Sequence, residues 1–209
     1  MPKLELGCGR QFTPGYIHHD ITKYADHVDL AWNLDHAPWP FALLSDGTPG
    51  LAATANSIKA VVDPWDDSRD TTLLWLRRYE RMGSIANHAA ANVTYDGWLD
   101  EILALDVLEH LHLEPWQWLN ECHRLLKPGG VLEFRVPAHD NPLSYRDTTH
   151  QKVFHEQSFV FWDPSHELHT RFGSQYFYAQ HGRWWKQVAH RKENDDHRFT
   201  LRARAVQPR

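Results

Sequence analysis

The chain has 209 residues, two of them cysteine, and its 22 basic and 27 acidic side chains give a net charge of −5. That length suits a single domain with a core of its own, and the mild acidity argues against a nucleic-acid surface held by bulk charge. Two cysteines cannot build a disulfide framework, which points to a reducing compartment, the cytoplasm. No apolar run reaches the roughly 18 residues a membrane span needs, and residues 1–20 lack the long apolar stretch of a secretory leader. Histidine and tryptophan are abundant, at 16 and 10 residues.

The elements follow in chain order. Lys3-Leu4-Glu5-Leu6 reads as a short strand that stops at Gly7-Cys8-Gly9. Further strands are predicted over 16–21 and near 28–32. Pro38-Trp39-Pro40-Phe41 is punctuated by proline and cannot be regular helix. Residues 45–97 differ in character: a turn cluster over 45–50, short helices over 51–62 and 71–82, and weak patterning beyond. From Leu99 to Val107 a largely apolar run suits a strand buried on both faces. Pro115 then opens a helix carrying Trp116, Leu119, Cys122 and Leu126 at helical spacing, stopped by Lys127-Pro128-Gly129-Gly130. Residues 131–137 form the next strand and 139–165 an irregular, aromatic stretch. Residues 184–190 and 198–205 read as two strands of a hairpin. Strand–loop–strand followed by strand–helix–strand indicates a layered α/β fold, which binds ligands at the carboxyl ends of its strands.

A dinucleotide-binding loop would carry a third glycine where Phe12 stands, and no phosphate loop ending in Gly-Lys-Ser/Thr is present, so no pyrophosphate site is supported. Instead, Leu4-Glu5-Leu6-Gly7-Cys8-Gly9 resembles the first motif of class I S-adenosylmethionine-dependent methyltransferases. Four later segments agree with it in order: Pro14 to Ile21, Trp32 to Asp35 followed by Pro38 to Phe41, Leu105 to Leu111, and Arg124 to Leu132. The closest likeness is to a small, type 11-like subgroup, over 3–41 and 98–138.

The resemblance implies a Rossmann-like three-layer sandwich whose mostly parallel, seven-stranded sheet ends in an antiparallel hairpin. Residues 1–209 form one methyltransferase domain, and 45–97 match nothing in the subgroup and stand as an insertion. The implied cofactor is S-adenosyl-L-methionine. Glu5, Gly7, Cys8 and Gly9 would form its loop, Asp20 with Ile21 would meet the ribose, Asn33, Leu34 and Asp35 would flank the adenine, and Asp106 and Val107 would line the fourth motif. A carboxylate such as Asp20, with two acceptor oxygens, suits a pair of ribose hydroxyls.

Methyl transfer from a sulfonium asks the protein to align and desolvate the acceptor and, for a hydroxyl, to remove a proton near neutral pH. Histidine suits that task. His110, after the fourth motif, and His150, after the fifth strand, are the candidate catalytic residues. Asp106-x-x-Glu109-His110 would also place three metal ligands on one helical face, with His139 or His150 to complete the shell. The same Leu-Glu-His-Leu string stands in metal-free relatives, so no metal is assigned. Phe154, Phe159, Phe161 and Trp162 could wall an apolar acceptor pocket. The expected function is methyl transfer to oxygen of a small-molecule or sugar-like acceptor, without a membrane or nucleic-acid partner. The alternatives are a non-catalytic methyltransferase-like binding or scaffolding domain and a metal-assisted enzyme.

Overall fold

The structure is a computed structural model that describes residues 1–21, 25–37, 39–44, 46–51, 94–172 and 183–205. Its centre is a seven-stranded sheet of order β3-β2-β1-β6-β7-β9-β8. The strands are β1 (Lys3–Leu6), β2 (Ile17–Asp20), β3 (Leu30–Ala31), β6 (Leu99–Leu105), β7 (Leu126–Pro137), β8 (Trp185–Glu193) and β9 (Asp196–Ala203). The first five run parallel, whereas β9 pairs antiparallel with β7 and with β8. Between β1 and β6 the chain changes its direction of travel across the sheet. That reversal opens a crevice at the carboxyl edge, where such sheets take ligands.

Burial explains the central strands. Leu4 and Leu6 of β1 and Leu99, Ile102 and Ala104 of β6 are enclosed, as a strand flanked on both sides requires. At the sheet's other half, Phe134 of β7 sits opposite Phe199 of β9, with ring centroids 5.1 Å apart. Phe159 closes on both rings from the segment beyond β7.

Helix α1 (Pro115–Leu125) covers β7. Pro115 occupies its first turn, where a missing N–H costs nothing, and the Gln117 side chain accepts the Glu114 amide at 3.2 Å. Trp118, Leu119, Cys122 and Leu125 form the buried stripe. Its buried Glu121 accepts the Trp39 amide at 2.8 Å, while Arg124 reaches the carbonyls of Trp39 and Tyr95, each at 2.8 Å, and Glu121 at 2.8 Å. This ion pair ties the segment at Trp39 to the approach to β6.

Several sequence expectations shift. Pairing of β7 begins at Leu126 rather than Val131, because residues 127–130 bulge and the register slips from Leu99↔Leu126 to Glu101↔Val131. The C-terminal hairpin is longer than read. Its turn is only Asn194-Asp195, both at positive φ, which polar short side chains tolerate. The segment around 41–51 is not loop alone: β4 (Phe41–Leu43) and β5 (Pro49–Leu51) pair antiparallel as a separate two-stranded sheet, and Leu43 also bridges Thr94. Within the irregular stretch lie a short helix α2 (Leu143–Arg146) and a 3-10 turn (Val160–Trp162), with α3 (Glu167–Phe172) after it. The helices expected over 51–62 and 71–82 fall outside the described residues, apart from Leu51, which ends β5. Both cysteines are free and buried. Among the described residues no helix is long and apolar enough to cross a membrane.

Candidate cofactor and acceptor site

At the reversal in the sheet lies a cavity of about 210 Å³. Its lining comes from residues that leave parallel strands at the carboxyl edge: Gly7 after β1, Asp20 and Ile21 at the end of β2, Trp32 to Leu34 after β3, and Asp106 and Val107 after β6. The chain can turn here because Gly7 and Gly9 take φ of +61° and +59°. A Cβ on Gly7 would lie 2.6 Å from Val107 Cγ2, whereas one on Gly9 would meet nothing within 4 Å among the described residues. Glycine is therefore required at position 7 by both conformation and space.

The loop is fastened to β2. The Cys8 amide donates to the His19 carbonyl at 2.9 Å, and the Gly9 amide donates to Asp20 Oδ2 at 2.8 Å. Behind it, Nε2–H of buried His19 donates to the Trp32 carbonyl at 2.9 Å, which leaves Nδ1 to accept the Gly7 amide at 3.4 Å. Burial holds the His19 imidazole neutral, with its pKa pushed down to about 4. The segment after β3 is braced by two indoles: Trp32 donates to the His36 carbonyl at 3.0 Å and Trp39 to the Leu34 carbonyl at 2.9 Å.

Seven of the residues assigned by resemblance line this cavity: Gly7, Asp20, Ile21, Asn33, Leu34, Asp106 and Val107. Four stand behind it. Glu5 is buried and accepts the Thr13 hydroxyl at 2.9 Å. Cys8 is buried, and desolvation together with nearby Asp20 and Glu5 raises its thiol pKa to about 12. Gly9 presents its amide to Asp20. Asp35 accepts the Leu113 amide at 2.9 Å, which joins the loop after β3 to the approach to α1. His19, Trp32 and Leu111 line the cavity without having been singled out. Each directly flanks a residue that had been, or follows His110 by one, so strand position was the available signal.

His110 also lines the cavity, at the end of a 3-10 turn (Leu108–His110). His150 comes to it from the loop after β7, with ring centroids 4.6 Å apart. The join is a backbone bond, the Gln151 amide to the Glu109 carbonyl at 2.6 Å. Burial, aided by neighbouring His150, lowers the His110 pKa and keeps that ring neutral near pH 7. Between the two, Glu109 is buried, and both its carboxyl oxygens lack a hydrogen-bond partner among the described residues. Desolvation, reinforced by Asp106 and Asp196, raises its pKa to about 8.

Asp106 departs from the shared helical face expected for Asp106, Glu109 and His110. It sits before the 3-10 turn at φ +56°, and its carboxylate is taken by the Arg135 guanidinium, with Nε 3.0 Å from Oδ1 and a second bond to Oδ2. His139 does not join the site; it packs against His155 and His197.

A second cavity, of about 670 Å³, takes its lining from the segment that follows Leu111 and from the loop after β7. Leu111 belongs to the first, and His112 and Glu114 to the second. Across it stand Gln151 and Lys152, with Phe154, Phe159, Phe161 and Trp162 as the apolar wall.

With this geometry in place, the family model described as a methyltransferase domain matches residues 60–134, which include β6, α1 and most of β7. Over that stretch the chain is similar to methyltransferase domains, in agreement with the class I S-adenosylmethionine-dependent methyltransferase resemblance of its motifs. Residues 60–93 of the match lie outside the described residues. Among solved structures, a Haloferax volcanii methyltransferase in complex with the Trm112 methyltransferase activator is similar over 98% of this chain and 83% of that one, at 10% identity and a TM-score of 0.46. The CurJ carbon methyltransferase is similar over 98% of this chain and 48% of that one, at 16% identity and a TM-score of 0.43. A SAM-dependent methyltransferase from Archaeoglobus fulgidus is similar over 96% and 85%, at 14% identity and a TM-score of 0.42. No curated protein matches the chain.

Proposed function

We propose that this methyltransferase transfers the methyl group of S-adenosyl-L-methionine to an oxygen atom of a small-molecule acceptor in the cytoplasm. Residues 1–209 act as one domain, with 45–97 as an insertion. The observation that carries the reading is a cavity at the strand ends lined by Asp20 and His110, with His150 packed on His110 and followed by Gln151 in the lining of a second, aromatic-walled cavity.

The residues of the first cavity fit the cofactor. Asp20 supplies carboxylate oxygens at the end of β2, where ribose hydroxyls can donate to them. Ile21, Trp32 and Leu34 give an apolar face for a flat base. Gly7 admits the close approach of the methionine portion to backbone. When bound, S-adenosylmethionine supplies an electrophilic methyl group with a neutral thioether as its leaving group.

The chain's own work is positioning and proton management. The aromatic wall of the second cavity excludes water from the acceptor and presents it along the line of displacement. Neutral His110, or His150 beside it, takes the hydroxyl proton at an imidazole nitrogen as the new O–C bond forms.

Calorimetric titration with S-adenosylhomocysteine tests the cofactor site. Saturable binding is expected, weakened in Asp20→Ala. No binding at millimolar ligand refutes the cofactor assignment, and unchanged affinity in the variant removes Asp20 from the site. Homocysteine-linked turnover against a panel of hydroxylated acceptors then separates an enzyme from a binding module, which would bind cofactor without consuming it.

A further inference from the structure

We propose that Glu109, His110 and His150 form a binding site for one divalent transition-metal ion, of the zinc or manganese kind, between the two cavities. One donor atom from each of the three residues lies within 4.8 Å of the others. Ligand bonds of about 2.0–2.2 Å to a tetrahedral ion hold donors about 3.4 Å apart, so modest side-chain adjustments close the set.

The second line of support is unmet polarity. Among the described residues, both oxygens of Glu109 are buried without a hydrogen-bond partner, and so is Nδ1 of His150. Leaving such groups unpaired is costly, and a buried carboxylate is ordinarily paired or coordinated to a cation. Here two orphaned groups from distant parts of the chain face the same small volume. A dication would satisfy both at once.

The histidines are held as metal ligands commonly are. The Thr149 hydroxyl gives its hydrogen to Asp147 Oδ1 at 2.6 Å, so it accepts from Nδ1–H of His110 at 2.9 Å. That fixes the tautomer with the lone pair on Nε2. Asp147 Oδ2 also lies 3.8 Å from Nε2 of His150, which leaves that ring's unpartnered Nδ1 as the donor. Asp147 thus fixes the His110 ring through Thr149 and places a negative charge beside Nε2 of His150. Two imidazoles and one carboxylate suit borderline transition ions better than Mg²⁺ or Ca²⁺, which take oxygen shells.

The consequence for chemistry rests on the methyl-transfer reading. His110 lines the cofactor cavity, and Gln151, next to His150, lines the acceptor cavity. An ion there would coordinate the acceptor hydroxyl and acidify it. The O–H proton leaves to water, the C–S bond breaks with its electron pair on sulfur, and the O–CH₃ bond forms. The products are a methyl ether, a neutral thioether and a proton. In that case His110 and His150 hold the ion and do not act as bases.

Co²⁺ is the probe. Titrating the full chain with CoCl₂, followed by visible d–d absorption and calorimetry, should show one saturable equivalent that Zn²⁺ displaces. Affinity should fall at least about tenfold in Glu109→Gln, His110→Ala and His150→Ala, and about tenfold in the supporting variant Asp147→Asn. Circular dichroism and thermal melting of each variant confirm that it folds. Absent Co²⁺ binding, or binding that persists in all three ligand variants and so lies on other histidines, overturns the proposal whatever the cofactor result. Co²⁺ binding that follows the variants, without any binding of S-adenosylhomocysteine, sustains the metal site and refutes the methyltransferase reading instead.

Discussion

Gly7→Ala probes the floor of the cofactor cavity, and Gly9→Ala is its internal control. Both glycines have φ near +60°, so either alanine meets the left-handed penalty of about 1–2 kcal/mol. They differ in what the new methyl touches. At position 9 it points into open space, whereas at position 7 it lands 2.6 Å from Val107 Cγ2, closer than two carbons can approach. Relief requires Val107 or the loop to move, which in a packed region costs a further ~1–3 kcal/mol. Gly9→Ala should therefore lose about 1–2 kcal/mol and Gly7→Ala about 2–5 kcal/mol in urea denaturation. Val107→Ala in the Gly7→Ala background removes the obstructing methyls and should return part of the excess, so the two changes will not add. Affinity for S-adenosylhomocysteine should follow the same order, because Gly7 and Val107 line the cavity and Gly9 does not. Equal losses of stability in the two alanine variants, or strict additivity with Val107→Ala, would show that the close approach of β1 and β6 does not exist.

Two further outcomes follow from buried groups. His19 is neutral in the folded chain with a pKa near 4, against 6.5 unfolded. Between those values the unfolded state takes up a proton that the folded state refuses, so this contribution is intact above pH 6.5 and lost as pH falls towards 4. The loss reaches about 3 kcal/mol, and chemical denaturation across that range in wild type and His19→Gln measures it; an equal slope in both refutes the role of His19. Glu121→Ala removes the buried partner of Arg124, leaving it the more exposed Asp96 and two carbonyls, and frees the Trp39 amide. Melting should report a loss of about 3–5 kcal/mol, while an unchanged melting temperature would mean the pair contributes nothing.

What the sequence made legible follows from how local its causes are. β1, β6 and α1 announce themselves because alternation, an apolar run, and a proline-led helical stripe are properties of adjacent residues. The glycine loop and Asp20 were readable for the same reason, as each ends a strand. β4 and β5 were not, since three-residue strands carry no period, and the bridge from Leu43 to Thr94 joins residues far apart in the chain. Two of the ten tryptophans were also opaque in role: Trp32 and Trp39 act through indole N–H bonds to backbone carbonyls four and five residues away, which composition does not encode.

The cluster at Glu109 shows the boundary most clearly. The string Asp106-x-x-Glu109-His110 put three ligands on one face only if the strand exit were helical from its first residue. The backbone instead leaves β6 through a left-handed Asp106, whose carboxylate turns to Arg135 on the neighbouring strand. The vacated position is filled from forty residues later, by His150, because the loop after β7 docks its Gln151 amide on the Glu109 carbonyl. A register between two strand exits therefore decides which side chains meet. That register is set by the pairing of β6 with β7, Leu105 against Arg135, and not by any spacing along the chain.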